Sequence, residues 1–291
     1  YKGFQTEGNS YVAAGDWTNL YYFDKITVTL EEFKNNQSTG RIIELDTTTS
    51  IPRESGTFAN PKQLLYYTDA VLSSDASYQI KIVNKETGRV VTGNTPIAPA
   101  FNITAPNIPT NNGLNLTGKK GNIIFTHHDE LKGYQIYENF YYFEVSKSTG
   151  EITKYGSVKR DITNQAMITY NNSGYGEVNK EYNPSSIYDI IALQIEPDPS
   201  VDRYRMQENC ISFEVWGATT HLYNYLLVNQ PSSSIVQEHL EYTNLVCPSD
   251  SSYKTAYGVF ASRYNAVKRF TISAASEDSL VLGSKTRHLG F

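Results

Sequence analysis

The sequence has few sulfur-containing residues, no long apolar run and no excess of positive charge. Its 291 residues include two cysteines and two methionines. Two cysteines are too few for a disulfide scaffold or a four-ligand zinc site. No apolar stretch approaches the roughly 20 residues that span a bilayer. A net charge of −5 leaves no surplus of lysine and arginine to neutralise phosphates, so nucleic acid is not an expected partner.

Sequence motifs for catalysis and cofactor binding are also lacking. No Gly-x-Ser-x-Gly elbow is present, and neither cysteine has the local signature of an activated thiol. The glycine-rich segment 173–176 is not followed by Lys-Ser or Lys-Thr, as a phosphate-binding loop requires. The sequence therefore predicts a protein that is not an enzyme and that has no cofactor.

The densest group of possible metal ligands is His127 and His128, which are followed by Asp129 and Glu130. Adjacent histidines on a strand point to opposite faces of a sheet, so they cannot easily share one metal ion. We therefore expect a solvated turn here and no metal site, with His127 and His128 as weak candidates. His239 lacks the second histidine of a zinc-binding helix.

The two cysteines, Cys210 and Cys247, can be interpreted in two ways. In an oxidising compartment they could form a disulfide. A buried free cysteine is a common alternative in a folded domain. The residues themselves leave both alternatives open.

Tyrosine and phenylalanine are abundant, with 23 and 12 copies, and this composition is typical of twisted antiparallel sheets. A Thr-Gly pair followed by a charged and then a β-branched residue recurs at 39–42, 87–90 and 149–152. Each copy follows an alternating strand pattern, and glycine accepts the positive φ that a hairpin loop needs. The sequence therefore predicts three β-hairpins.

Strand patterns separated by turn signals continue along most of the chain, and they predict a mainly β protein. Four prolines between residues 95 and 109 discourage continuation of a sheet and indicate a domain boundary. We therefore expect two antiparallel β-sandwich modules of the immunoglobulin or fibronectin-III type. The first module is predicted at 1–104 and the second at 105–291.

The C-terminal module is predicted to contain one helix and one long loop. The helix is expected at 219–229, because its apolar residues recur at helical spacing and Pro231 follows its end. Weak periodicity from 232 to 250 indicates the loop. The nearly continuous apolar run 187–195 predicts a strand that is buried on both faces.

Two aromatic groups are larger than a sheet core requires. Trp17 and Tyr21 lie in the first, and Tyr137 and Tyr141 lie in the second, among six rings between residues 134 and 143. A strand buries only half of its side chains, so some of these rings must face outward, pair across strands or pack at a domain interface. Outward Tyr and Trp side chains bind sugars and peptides well. These four residues are our candidate ligand-binding residues, with core packing as the alternative for each.

Six short segments of the sequence can be compared with those of a known protein family. They are Phe-Glu-Val-Trp at 213–216, Leu-Val-Asn-Gln-Pro-Ser at 227–232, Glu-Tyr-Thr-Asn at 241–244, Tyr-Gly-Val-Phe-Ala-Ser-Arg at 257–263, Ala-Asn-Pro-Lys-Gln-Leu-Leu-Tyr at 59–66 and Asn-Lys-Glu-Thr-Gly at 84–88. With these segments the chain resembles, over most of its length, a family of Bacteroidota cell-envelope lipoproteins of unknown function. The shared segments are structural, so the resemblance supplies no catalytic residues.

The resemblance implies export, a lipidated cysteine upstream of residue 1, and attachment to the cell envelope at the outer membrane, in the periplasm or on the cell surface. It also implies an accessory role, because genes of this kind often neighbour outer-membrane transporter genes. The segment 247–253 departs from the family as an insertion. A disulfide between Cys210 and Cys247 would therefore be particular to this protein.

Together these observations favour a non-enzymatic envelope lipoprotein that binds a glycan, a peptide or an envelope protein such as an outer-membrane transporter. A structural or adhesive spacer is the alternative, and an aromatic-lined cleft would weaken it. A hydrolase with an unrecognised site is the third possibility. That hydrolase would need His127 or His239 beside a carboxylate and a hydroxyl in a cleft.

Overall fold

The fold is seen in a computed structural model, which describes residues 9–53, 62–109, 112–164, 167–170, 176–229, 242–248 and 255–291. The α-helices of this described chain are α1 (Ser10–Gly15), α2 (Trp17–Leu20), α3 (Ile187–Gln194), α4 (Thr220–Val228) and α5 (Ala274–Leu282). Its strands are β1 (Ile26–Lys34), β2 (Gln37–Glu44), β3 (Asp46–Thr48), β4 (Leu65–Tyr67), β5 (Ser77–Asn84), β6 (Val90–Pro96), β7 (Ile103–Ala105), β8 (Gly121–His127), β9 (Leu131–Ser146), β10 (Ile152–Asp161), β11 (Gly176–Tyr182), β12 (Val201–Arg205), β13 (Ile211–Thr219), β14 (Leu245–Val246), β15 (Thr255–Ala256) and β16 (Arg263–Phe270).

The mainly β fold predicted from the sequence is confirmed. The strands form four sheets, in the orders β15-β14-β6-β5-β1-β2, β3-β4, β11-β8-β7, and β10-β9-β13-β16 with β12 paired to β9. Every pairing between these strands is antiparallel. No helix in the described part of the chain is both long enough and apolar enough to cross a membrane.

The chain divides into two compact units. Unit 1 comprises 1–97 and 224–262, and unit 2 comprises 98–223 and 263–291. The first division therefore falls just before the predicted boundary after residue 104, within the proline-rich stretch.

The segment 224–262 differs from the prediction, because it belongs to unit 1 and not to the C-terminal module. The physical reason is strand pairing. Leu245 of β14 pairs with Gly93 of β6, and the strand extends the sheet of unit 1. A two-residue strand that pairs with a partner so distant in sequence leaves no local periodicity from which its place could be predicted.

Unit 1 has its main core on the six-stranded sheet. Leu30, Ala76 and Tyr78 are its buried members. Glu32 is also buried on this sheet, and its carboxylate accepts hydrogen bonds from the Tyr78 hydroxyl at 2.6 Å and the Ser73 hydroxyl at 2.9 Å. These hydrogen bonds, the Tyr78 one above all, lower the pKa of Glu32 to about 2. The carboxylate therefore stays charged within a satisfied polar network.

Unit 2 packs its five-stranded and three-stranded sheets around one hydrophobic core. Phe125 of β8 and Tyr134 of β9 come from the two different sheets, and their ring centroids are 4.8 Å apart. Phe101 contacts both rings, at 5.9 and 5.5 Å. This packing of two antiparallel layers is consistent with the predicted β-sandwich.

The helical content of unit 2 differs from the prediction. The run 187–195 was expected as a buried strand, but it forms α3, in which Ile187 and Ile191 lie one turn apart and are both buried in the core. Periodicity alone does not distinguish a buried helix from a buried strand in so short an apolar run. The preceding Asn183 side chain accepts a hydrogen bond from the Ser185 N–H at 3.1 Å, which starts the helical turn.

The predicted helix at 219–229 is present as α4. The expectation of a single helix was wrong, however, because α3 and α5 also lie in the part of the C-terminal module that the structure describes. Ser273 caps α5, with its hydroxyl accepting from the Ser276 N–H. The predicted loop at 232–250 lies mostly outside the described residues.

Two of the three predicted hairpins share one loop geometry. The Gly88 N–H donates to the Asn84 carbonyl, and the Gly150 N–H donates to the Ser146 carbonyl, both at 2.8 Å. The two glycines have φ values of +69° and +73°. Both loops therefore use glycine as the recurring Thr-Gly sequence predicts.

The first hairpin is built differently. Its turn consists of Asn35 and Asn36, with φ values of +50° and +61°, as in a two-residue loop between twisted strands. Gly40 also has a positive φ, +79°, but it lies inside β2, next to the irregularity in the pairing with β1. At this position the Thr-Gly pair is part of a bulge and not of the turn.

Replacing Gly150 with alanine is expected to lower the free energy of unfolding of unit 2 by about 1–2 kcal/mol, because an L residue is strained at this φ. An added Cβ there meets nothing within 4 Å, so the loss of stability comes from backbone strain and not from a steric clash. Gly118→Ala is the control, since an added Cβ meets only the Lys120 carbonyl at 3.7 Å and φ is not positive. Urea unfolding followed by Trp216 fluorescence in a Trp17→Phe background measures both, and equal decreases in the free energy of unfolding would contradict the argument.

Candidate functional site

The five-stranded sheet of unit 2 has one face in the core and one face outside it. Along β9, Phe140 and Tyr142 are buried in the core. The alternate residues Tyr137, Tyr141 and Phe143 are only half-buried, because successive side chains of a strand point to opposite faces. Of the alternatives expected for the surplus rings, the structure has the outward direction for Tyr141 and cross-strand pairing for Phe143.

A cleft of about 520 Å³ lies on this sheet, and we call it the tyrosine cleft. It is lined by Tyr141, Tyr142, Tyr155, Gly156, Met206, Glu208, Asn209 and Arg269. The Tyr142 ring lies close to the backbone of β10 at Gly156. A Cβ at this position would be 2.4 Å from a ring carbon, so a residue with a side chain would clash with the ring. The cleft therefore combines aromatic surface with three polar side chains.

The charged groups of the tyrosine cleft are available to a ligand. Arg269 and Glu208 are both exposed, and neither forms an ion pair or a side-chain hydrogen bond with any residue that the structure describes. By contrast, Arg205 in a neighbouring cleft binds Glu277, with an Nη2 to Oε2 distance of 2.8 Å. Charged groups without a protein partner are free to bind polar atoms of another molecule.

A row of three rings crosses the outer face of the same sheet, and we call it the aromatic ladder. Phe143 of β9 pairs in register with Tyr155 of β10 and with Tyr204 of β12. Its ring centroid lies 6.3 Å from that of Tyr155 and 5.5 Å from that of Tyr204. Tyr155 is 68% exposed and Tyr204 is 50% exposed. The ladder therefore extends an accessible aromatic surface beyond the tyrosine cleft.

The structure places the predicted residues Tyr141 and Tyr137 on this outer face, but only Tyr141 lines the tyrosine cleft. The Tyr141 and Ser212 hydroxyl oxygens lie 3.1 Å apart, within hydrogen-bond distance. The Lys159 ammonium lies 3.9 Å from the centre of the Tyr137 ring, and burial raises the pKa of the Tyr137 phenol. The Tyr137 ring is therefore already covered by a cation from its own sheet.

The other predicted pair, Trp17 and Tyr21, belongs to unit 1. Tyr21 is buried beside Leu20, and Trp17 packs edge-on against Phe23 at 5.1 Å. The Lys62 ammonium lies 5.3 Å from the Trp17 ring centre. Core packing, the alternative considered for each ring, therefore describes Tyr21, and Trp17 is partly engaged in the same cluster.

The expectation of a solvated turn is wrong for His127, which is buried. Its Nδ1 lies 2.8 Å from the Tyr134 hydroxyl, and its ring is 4.1 Å from that of Tyr170. Burial lowers the pKa of His127, so the neutral imidazole is favoured in the core. The imidazole of His128 lies 3.9 Å from the Glu130 carboxylate.

No metal site is evident among the described residues, where no three His, Cys, Asp or Glu side chains are grouped to hold an ion. None of the three clefts discussed here, one of about 400 Å³ in unit 1 and two of about 440 and 520 Å³ in unit 2, is lined by a histidine. His239, the other histidine considered for a hydrolase site, lies outside the described residues.

The candidate disulfide does not form in the structure, because Cys210 and Cys247 are both free and buried. Cys210 lies in unit 2, where burial raises the pKa of its thiol. Cys247 lies in unit 1 and accepts a hydrogen bond from the Arg89 Nε–H at 3.2 Å. Of the two alternatives for these residues, the structure has the buried free cysteine.

Sequence reasoning missed most of the tyrosine cleft. Tyr155 could have been found, because the predicted hairpin at 149–152 places the following strand beside β9. Met206, Glu208 and Asn209 lie between β12 and β13, where no pattern marks them. Arg269 looks like any charged residue of an alternating strand, so its place in the cleft became visible only with the fold.

Comparisons with known proteins add little to this geometry. No protein-family model and no curated protein matches the chain. One similar solved structure is described as "Crystal structure of putative beta-galactosidase from bacteroides fragilis". It is 9% identical in sequence, and the alignment covers 84% of this chain but only 30% of that chain, with a TM-score of 0.16. A likeness this weak supports no conclusion about the fold or the function of this protein.

Proposed function

We propose that this protein is a non-catalytic binding module whose ligand occupies the tyrosine cleft. The observation that carries the proposal is that Tyr141 and Tyr155 line one cleft with the exposed side chains of Arg269 and Glu208, which have no ion-pair partner among the described residues. Small-molecule sites typically combine apolar or aromatic walls with a few convergent polar groups. A glycan and a peptide both suit such a surface.

The cellular setting is also a proposal, and it rests on the sequence resemblance alone. It makes the protein an exported lipoprotein, held at the cell envelope through a lipid anchor upstream of residue 1. There it serves as an accessory to another envelope protein, such as an outer-membrane transporter. Co-purification of the membrane-anchored full-length protein with a transporter supports this setting, and recovery of the full-length protein from the cytoplasm would argue against it.

A structural or adhesive spacer is the alternative function. A spacer needs no accessible aromatic cleft, and solvent-exposed rings such as Tyr155 carry a risk of non-specific association. The tyrosine cleft therefore favours the binding module. The two functions differ in one measurable property. Only the binding module has a ligand whose affinity falls when a residue of the cleft is replaced.

Replacing Tyr155 with alanine is expected to weaken ligand binding about tenfold, because truncation of an aromatic contact at a binding site typically costs more than 1 kcal/mol. Glycan and peptide arrays identify ligands, and titration calorimetry measures their dissociation constants. Tyr257→Ala is the control, since this residue is 78% exposed in unit 1 and lines none of the three clefts. Equal affinities of the two variants would place the ligand elsewhere, and the absence of any ligand would favour the spacer.

A further inference from the structure

We infer that the ligand of the tyrosine cleft is a neutral oligosaccharide, an inference that rests on the proposed function of this cleft. Three features of the described residues lead to this class of ligand. They are the balance of charge in the cleft, the extension of its aromatic surface along the aromatic ladder, and the direction of that ladder relative to the sheet edges at which a peptide could pair.

The first feature is the charge balance. Arg269 supplies hydrogen-bond donors and Glu208 supplies acceptors, and both line the cleft without forming an ion pair with each other. The Asn209 amide adds one group of each kind. An anionic ligand attracted by Arg269 would be repelled by Glu208. A cationic ligand attracted by Glu208 would be repelled by Arg269. A neutral molecule with neighbouring hydroxyls can accept from the arginine and donate to the carboxylate at the same time.

The second feature is the direction of the aromatic surface. Tyr155, Phe143 and Tyr204 lie on three adjacent strands, so the aromatic ladder runs across the strands and not along them. Adjacent strands are about 4.8 Å apart, and the ring spacings of 6.3 and 5.5 Å follow this geometry. Consecutive pyranose rings of a linear glycan present a repeating series of apolar C–H faces, which suits a repeating series of rings.

The third feature separates a glycan from a peptide. An extended peptide commonly gains affinity by pairing its main chain with an open sheet edge. Among the described strands only β9 is interior beneath the aromatic ladder, because β10 and β12 each pair with β9 alone. A peptide could therefore add as a strand only at the outer edge of β10 or β12, where it would run along the strands and not across them as the ladder does. Recognition of a ligand that lies across the aromatic ladder depends on side-chain rings and hydroxyl-binding groups, which match the chemistry of sugars.

The inference is tested with a defined panel of probes in titration calorimetry. The panel contains neutral glucose, galactose, mannose and xylose oligosaccharides, acidic oligogalacturonate, and tyrosine-rich and proline-rich peptides. We expect at least one neutral oligosaccharide to bind, and its affinity to rise from the disaccharide to the hexasaccharide as more of the aromatic ladder is occupied. We also expect Arg269→Gln and Glu208→Gln each to weaken hexasaccharide binding about tenfold.

A matched pair of variants locates the ligand on the aromatic ladder. Tyr204→Ala is expected to weaken binding of the hexasaccharide while leaving the disaccharide unchanged, because Tyr204 is in the ladder but does not line the tyrosine cleft. Tyr257→Ala should change neither. An unchanged urea midpoint of each unit 2 variant, followed by Trp216 fluorescence in a Trp17→Phe background, is the check that the fold is retained.

The outcomes distinguish this inference from the proposed function. Binding of only oligogalacturonate or only peptides would overturn the neutral oligosaccharide and leave the binding module in place, provided that Tyr155→Ala weakens that binding. Neutral binding that is unaffected by both Arg269→Gln and Glu208→Gln would also overturn the inference. Binding of no probe in the panel would count against the inference and the proposed function together.

Discussion

Replacing Arg203 with methionine is expected to lower the free energy of unfolding of unit 2 by about 3–5 kcal/mol, the usual cost of removing one partner from a buried ion pair. The Arg203 side chain is only 3% exposed, and its Nε–H donates to Glu144 Oε1 at 3.0 Å. Its remaining donors bind the carbonyls of Glu196, at 2.9 Å, and Leu289. Methionine fills a similar volume but leaves the carboxylate and two carbonyls without these donors.

The matched control for this prediction is Lys147→Met, which removes another pair at the β9–β12 end of the sheet. Lys147 Nζ lies 3.4 Å from Asp202 Oδ1, and both side chains are 47% exposed. Loss of an exposed pair should cost less than about 1 kcal/mol. Urea unfolding at pH 7 measures both, with Trp216 as the only tryptophan in a Trp17→Phe background. Similar decreases in the free energy of unfolding for the two variants would show that the buried ion pair of Arg203 stabilises unit 2 no more than an exposed pair does.

The contribution of Glu138 to the stability of unit 2 is expected to fall as the pH rises from about 4.5 to about 8, and the Glu138→Gln variant should lack this contribution. Burial raises the pKa of Glu138 from 4.5 to about 7, despite an ion pair with Arg160 at 3.0 Å. Its Oε1 is buried with no hydrogen-bond partner among the described residues. The charged form is therefore poorly solvated in the folded state.

The direction of this effect follows from proton binding. Between pH 4.5 and pH 7 the folded state holds a proton on Glu138 that the unfolded state has lost, so the contribution of Glu138 to the free energy of unfolding decreases with rising pH. A shift from 4.5 to about 7 corresponds to about 3 kcal/mol in total. The other titratable groups facing Glu138 are Tyr182 and Tyr188, whose pKa values burial raises further above this range. These phenols therefore stay neutral and do not change the sign. The buried His127 of unit 2 has a lowered pKa and contributes a slope of the opposite sign, which is the same in both proteins when the wild type is compared with Glu138→Gln.

The measurement is a series of urea titrations from pH 4 to pH 8, again followed by Trp216 in the Trp17→Phe background. A probe of unit 2 alone is needed because Glu32, in unit 1, has a lowered pKa and therefore loses stabilising interactions as the pH falls. The control is Glu181→Gln, a carboxylate that is 65% exposed beside Lys120. An unchanged slope in Glu138→Gln would mean that this carboxylate does not titrate in the core.

The strands of this protein could be predicted wherever one face is buried and the other is not. In β9, the alternation of buried Phe140 and Tyr142 with half-buried Tyr141 and Phe143 follows from the two-residue period of a strand. The hairpins at Gly88 and Gly150 could be predicted for a similar reason, because a positive φ is a local requirement that glycine meets without strain.

The incorrect predictions have a common cause in tertiary structure. The run that forms α3 is apolar enough for either kind of buried element, and packing in unit 2 decides between them. The placement of β14 depends on its pairing with β6, which no nearby residue signals. The sequence predicts a turn at His127, yet contacts with Tyr134 and Tyr170 hold this residue in the core.

Only part of the tyrosine cleft could be predicted from the local sequence. The outward direction of Tyr141 follows from strand alternation, so the sequence identifies one wall of the cleft. The charged residues Glu208 and Arg269 come from a connection after β12 and from β16. Their meeting depends on a sheet that joins segments from different parts of the chain, and no spacing rule predicts it.

The interrupted path of the chain has a consequence for the order in which the protein can mature. Residues 224–262 belong to unit 1, so β16, which completes the sheet beside β13, is synthesised only after that whole segment. Until then β13 leaves the ribosome with one edge unpaired. The sheet of unit 1 in turn waits for β14 before β6 gains its second neighbour. Each unit is therefore built from two separate segments of the chain, and both sheets stay incomplete until the later segment has left the ribosome.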